Sequence, residues 1–239
     1  MNFRRAIPLI RLTAVFFTSL IFISSCIAQE KKGQPTGKWE SEIAAFDKLN
    51  QTEKYPENSI LFVGSSSIRL WNTIQKEMAP YPVIQRGFGG SRTPDVVQYM
   101  KRIAYPHRFS AVVIFVANDI NGSPEDLSPT ETLMNFKKMV KILRSKYKKQ
   151  PVFIVEITPS QSRWKQWPLI QQTNAMLKAF CEKGKNLVFI DTAKSYLNEK
   201  GEPNNDLFRD DLLHLNHQGY LIWGKLIKGE IDKKLKVEN

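Results

Sequence analysis

The stretch LFVGSSSIRLW, residues 61–71, decides the fold. Apolar residues run into a glycine and three consecutive serines, and a helix-like pattern follows. Two readings fit. One is a tight turn with a serine N-cap, which needs no chemistry. The other is a serine nucleophile held where a buried strand meets a helix. Which reading holds depends on what the rest of the chain supplies around it.

Outward from this stretch, short apolar runs alternate with longer amphipathic ones. The apolar runs are 59–64, 81–87, 110–117, 151–157 and 186–191, each rich in β-branched or aromatic residues. Helical spacing occupies 67–78, 93–103, 129–148, 165–183 and 217–235, and another helical pattern, KWESEIAAFDKLNQ, comes first. Strand and helix in alternation predict an α/β fold, with a parallel sheet covered by helices on both faces. In such sheets ligands bind beyond the carboxyl ends of the strands. The loops in question are GSSS (64–67), RGFGGSR (86–92) and ANDING (117–122), all rich in Gly, Ser and Asn.

A serine nucleophile needs a base, and the chain has three histidines. His107 precedes the third strand, at the wrong end of the sheet, which suits a surface or structural role. His217 reads as the start of the last helix. His214 lies in RDDLLHLNHQGY with Asp211 three residues upstream, and a local turn brings such a pair onto one side. An isolated Asp-x-x-His is weak evidence. In one chain with Gly-x-Ser after the first strand, Gly-Gly after the second and Asn-Asp after the third, it is stronger.

With these blocks in this order, the sequence resembles the SGNH (GDSL-like) hydrolases over 61–219. It is similar above all to the branch holding lysophospholipase-like and platelet-activating-factor-acetylhydrolase-like esterases. The resemblance implies a three-layer α/β/α fold of flavodoxin-like type, with a central parallel sheet of about five strands. It implies Ser66 as nucleophile, His214 as base and Asp211 as its acid partner. It also implies an oxyanion hole from the Ser66 and Gly90 N–H groups and the Asn118 side chain. Two positions depart from the family pattern. Ser65 stands where an Asp is usual, and Val116 where a Gly is usual. Ser65, Ser67 and Asp210 are the reserve candidates if the register slips by one.

The same residues argue against other classes. Ile68 occupies the place of the second glycine of a Gly-x-Ser-x-Gly elbow. GSSSIR lacks the G-x-G-x-x-G of a dinucleotide binder. The loops offer too few His and carboxylate groups for a metal hydrolase, so no metal and no cofactor is expected. A catalytically degenerate carbohydrate-binding protein on the same fold is the non-enzymatic alternative, and an intact Ser/His/Asp set speaks against it.

The chain has 239 residues and a formal charge of +12, which falls to +9 without Arg4, Arg5 and Arg11. Much of the excess lies on helical faces at 137–149 and near the carboxyl terminus. No nucleic-acid module is recognisable, so no nucleic-acid partner is expected. Residues 1–28 combine a basic start, an apolar run and small residues, as an export signal does. ISSC resembles a lipobox, with Cys26 as the lipidated residue and a membrane tether; cleavage after Ala28 is the competing reading. Either places the protein outside the cytoplasm, in the periplasm or cell envelope. Residues 29–38 form a polar leader and 39–239 the hydrolase domain. Cys181, in an apolar helical pattern, reads as a buried inert thiol.

The expected substrate is a small-molecule or glycan ester. TPSQSRWKQWP (158–168) follows the fourth strand. Trp164 and Trp167, flanked by Arg163 and Lys165, are candidates to stack on a sugar ring, unless both simply pack against the following helix. There is no long apolar insertion to form a lid. The expectation is therefore a short-acyl, acetyl-preferring esterase, with a lysophospholipase or thioesterase activity as the alternative.

Overall fold

The computed structural model describes Met1 and residues 37–236. Apart from Met1, the export segment with Cys26, and all but the end of the leader, lie outside the described residues. The chain divides into two units, Met1–Gln34 and Pro35–Asn239; every element below belongs to the second.

Five strands form one parallel sheet: β1 (Ile60–Gly64), β2 (Val83–Gly87), β3 (Ala111–Phe115), β4 (Val152–Val155) and β5 (Leu187–Ile190). Their order is β2-β1-β3-β4-β5, and every neighbouring pair is parallel. Each strand falls inside one of the predicted apolar runs. The runs are continuous rather than alternating because the sheet is covered on both faces. Side chains alternate across the sheet. Leu61, Val63, Val112, Ile114 and Ile154 enter one core, and Ile60, Phe62, Val113, Phe115 and Phe153 enter the other.

The first core is closed by α1 (Glu40–Thr52), α4 (Thr93–Ala104), α5 (Pro129–Lys146) and α6 (Trp167–Lys183). The second is closed by α2 (Ser66–Arg69), α3 (Ile74–Glu77) and α7 (His217–Lys236). The single helix expected over 67–78 is thus two short ones. The break turns Trp71 fully into the second core, against Phe62, Tyr220 and Trp223. There its Nε1 donates to Glu77 at 2.6 Å. Among the described residues no helix is long and apolar enough to cross a membrane.

His107 is buried rather than on the surface, edge-on to Tyr55. Burial, with Arg86 nearby, pulls its imidazole down to about 4. Cys181 is buried in the first core, and its thiol is pushed up to about 12 by burial.

Candidate active site

The 2-1-3-4-5 order has its switch point between β1 and β3, whose outgoing connections run to opposite faces of the sheet and leave a crevice. Gly64 and Phe115 are register partners at that end. A Cβ on Gly64 would lie 2.0 Å from the Phe115 carbonyl oxygen, so only glycine lets the two strand ends come this close. The next residues on the two strands therefore meet: Ser65 and Ser66 from one, Ala117 and Asn118 from the other.

Ser66 opens α2, and Ser65 is the residue before the helix. Neither hydroxyl caps the helix. Ser65 Oγ instead accepts from Asn118 Nδ2 at 2.6 Å, and Ser66 Oγ lies 2.9 Å from His214 Nε2. His214 Nδ1 lies 2.6 Å from Asp211 Oδ2. The other carboxylate oxygen, Oδ1, accepts the backbone N–H groups of Leu213 at 3.0 Å and His214 at 2.9 Å. One oxygen of Asp211 thus holds the turn and the other holds the ring. Between them Leu212 takes a left-handed conformation, φ 52°. Burial raises the Asp211 carboxyl, but the His214 ring and the backbone donors outweigh it and hold it down at about 2.

Gly90 has φ +73° and lines the same cleft as Ser66, Asn118 and His214. Ser91 Oγ donates to the Phe88 carbonyl at 2.9 Å and fixes this loop. Asn118 Nδ2 also donates to the Ser91 carbonyl at 3.0 Å, so both amide hydrogens are engaged. Asn118 Oδ1 accepts from Arg163 Nη2, and Arg163 Nη1 donates to the Ala117 carbonyl at 2.6 Å. Asp119, the second residue of the Asn-Asp pair, points away from the cleft. It accepts Thr93 N–H at 3.0 Å and the Thr93 hydroxyl at 2.9 Å, tying β3 to the start of α4.

Among the described residues, two spaces adjoin Ser66. The inner one, a cavity of ≈ 20 Å³, is bounded among others by Phe115, Ser160, Leu215 and Trp223. The outer one is an open cleft bounded by Glu42, Arg69, Gly89, Gly90 and Leu213.

The structure does not bring Trp164 and Trp167 to these spaces. Residues 161–166 form a 3-10 turn, in which side chains three apart eclipse. Trp164 lies in this turn and Trp167 opens α6, and the two rings stack on each other, centroids 5.8 Å apart and planes at 19°. Trp167 is buried with Ile120, Ile157 and Ile170, and Trp164 packs against that cluster. Arg163, expected beside them as a flanking donor, is buried and turned to Asn118. The cluster they join takes Ile170 from the following helix and Ile120, Ile157 and Ala193 from elsewhere.

Sequence reasoning missed Arg163 as a partner of Asn118, and Arg69 and Glu42 as walls of the cleft. Arg69 did carry a signal. It follows Ser66 by three residues, so one helical turn sets both on one side.

A Ser–His–Asp relay beside backbone and amide donors, at the switch point of a parallel sheet, defines a serine ester hydrolase of the SGNH type. The chain belongs to the GDSL-like lipase/acylhydrolase family, whose model matches residues 59–222. Solved structures share the fold. A protein from Streptococcus pneumonia, provisionally described as a platelet activating factor, superposes with a TM-score of 0.72 at 19% identity, covering 80% of this chain and 91% of its own. A GDSL-like lipase from Bacteroides thetaiotaomicron gives 0.64 at 18%, covering 80% and 98%. An acetyl xylan esterase gives 0.60 at 18%, covering 72% and 99%. No curated protein matches the sequence significantly.

Proposed function

We propose that this esterase removes short acyl groups, acetyl above all, from an alcohol and in particular from acetylated carbohydrate. Ser66 Oγ attacks the ester carbonyl carbon while its proton passes to His214 Nε2. Asp211 holds the ring tautomer and stabilises the imidazolium. The tetrahedral oxygen is met by the N–H groups of Ser66 and Gly90 and by Asn118 Nδ2. The Asn118 hydrogen now on Ser65 Oγ is the one the oxyanion takes. The imidazolium then protonates the departing alcohol oxygen and leaves an acyl-Ser66. Water, deprotonated by His214, attacks that ester; the carboxylic acid leaves and Ser66 regains its proton.

One observation carries this reading. The unbroken relay of 2.9 and 2.6 Å from Ser66 through His214 to Asp211 opens onto a cavity of only ≈ 20 Å³. With the acyl group in this inner space and the alcohol in the outer cleft of ≈ 610 Å³, there is room for about one water-sized group on the acyl side, hence for a methyl and not for a long chain. The likeness to an acetyl xylan esterase supports the acetyl preference. Carbohydrate as the alcohol rests on that likeness and on the open outer cleft, no longer on Trp164 and Trp167. The test is acetate release from acetylated glycans and a lysophospholipid comparison by wild type and Ser66→Ala. Faster release of fatty acid from lysophospholipid would favour the lipid-hydrolase alternative.

We further propose export of the chain and lipid attachment at Cys26, on the strength of the sequence of residues 1–28. Membrane partitioning of wild type but not of Cys26→Ser tests it. A soluble native protein beginning at Gln29 would rule out the lipid.

A further inference from the structure

An asparagine amide can face a site in two ways that differ only in which end is presented. Only the Nδ2 end can donate to an oxyanion. In this protein the choice is made by Arg163. The residue is buried, 9% exposed, and lines the inner cavity beside Asn118. Nη2 donates to Asn118 Oδ1, and Nη1 donates to the carbonyl of the preceding residue, Ala117, at 2.6 Å. Reversing the amide would turn its NH2 group against a buried cation and would leave Ser65 Oγ and the Ser91 carbonyl without their donor.

The cost of this arrangement indicates that it has a use. A buried cation is expensive unless a carboxylate meets it. Among the described residues no carboxylate forms an ion pair with Arg163; Asp119 and Asp126 act on it only through space. Burial pulls the guanidinium down to about 10, which still leaves it charged at neutral pH. Its bonding partners are two neutral oxygens on the strand end that carries Asn118. A charged donor on Oδ1 also draws electron density out of the amide and strengthens its N–H groups as donors.

We propose that Arg163 is a positioning residue for ester hydrolysis: it fixes the Asn118 amide with Nδ2 toward the Ser66 loop and strengthens that donor. This rests on the reading of Asn118 as an oxyanion donor. The effect should therefore appear in kcat, where transition-state contacts register, and little in KM. It should also vanish when the Asn118 amide is absent.

The experiment is a double-mutant cycle on 4-nitrophenyl acetate, with melting temperature and far-ultraviolet circular dichroism recorded for each variant. Asn118→Ala should lower kcat by about 10²–10³, as expected for one oxyanion donor. Arg163→Gln should lower kcat by about 10–10², with KM nearly unchanged. Arg163→Lys should recover part of that loss, since one charged donor remains. In the Asn118→Ala background, Arg163→Gln should cost less than about 3-fold, because two residues acting through one contact are not additive. Wild-type kcat in Arg163→Gln, or the same fold-loss in both backgrounds, would overturn the proposal. An Asn118→Ala enzyme with full kcat would remove the oxyanion reading itself, and the role of Arg163 with it. If Arg163→Gln does not fold, Arg163→Lys in the two backgrounds supplies the same comparison.

Discussion

Ser66 Oγ and His214 Nε2 lie 2.9 Å apart across 148 residues of chain. The contact is made by two strand-end loops and a turn, and none of the three can place it alone. Gly64 lets β1 end against Phe115. The Asp211 carboxylate folds the 211–214 turn. Tyr220, in the first turn of α7, donates its hydroxyl to the Ser67 carbonyl at 2.8 Å and ties that helix to the nucleophile loop. The imidazole is thereby held within hydrogen-bond reach of the hydroxyl before any substrate arrives.

Ser66→Ala and His214→Ala should each lower kcat by on the order of 10⁴ or more while leaving the fold intact, in line with triad dissections. Because the two act as one unit, the double variant should be little worse than either. Single-turnover kinetics on an acetyl ester, with circular dichroism as the control, checks this. Wild-type turnover by Ser66→Ala would move the nucleophile to Ser65 or Ser67.

Asp211 is held at about 2, well under the usual carboxylate range. It therefore stays charged throughout the pH range of an activity assay and should contribute no inflection above pH 4. Asp211→Asn keeps the size but changes what the ring bonds to, and kcat should fall by about 10⁴, as when the wrong tautomer is imposed on a triad. A pH–rate profile with an acid limb that disappears in Asp211→Asn would contradict this assignment.

The stability of the fold should fall on acidification, in a window set by His107. Its folded value is about 4 against 6.5 for the free group. Above pH 6.5 both states are neutral there and nothing is lost. Between 6.5 and 4 the unfolded chain takes up a proton that the buried ring refuses, so stability drops as pH falls. Chemical denaturation at several pH values should show that slope in wild type and a flatter one in His107→Leu. Equal slopes would assign the effect to other groups.

How much of this could be read from the sequence follows from burial and from repetition. The five strands were legible because both faces of the sheet are covered, which writes them as uninterrupted apolar runs such as LFV and VVIF. The Ser66, Asp211 and His214 positions stood out because the chain has three histidines and only one has an acid partner at turn spacing. The Arg163–Asn118 contact was not legible. It joins residues 45 apart through one side chain each and leaves no period or motif. That Trp164 and Trp167 would stack on each other was not legible either: Trp164 lies in a 3-10 turn and Trp167 opens α6, and the junction between the two is not marked in the sequence. The break at Trp71 was hidden likewise, since a turn that sinks one tryptophan into the core looks helical in sequence.

The last prediction concerns acyl length. The inner cavity of ≈ 20 Å³ is lined by Phe115, Leu215 and Trp223, all buried. An acetyl methyl fits such a space; each further methylene must displace packed side chains, and overpacking a filled core costs about 1–3 kcal/mol. The ratio kcat/KM should therefore fall steeply from acetyl to butyryl to octanoyl esters of one alcohol. Leu215→Ala shortens a wall of the cavity and should raise the butyryl-to-acetyl ratio by about 10-fold, an amount corresponding to one or two methylenes accommodated. It should also destabilise the fold by about 2–4 kcal/mol, as large-to-small core changes do, so rates are compared well below the melting temperature. The reading fails if the wild-type enzyme turns over octanoyl ester faster than acetyl. It fails also if Leu215→Ala, folded at the assay temperature, leaves the acyl ratio unchanged, because the wall that limits chain length would then lie elsewhere.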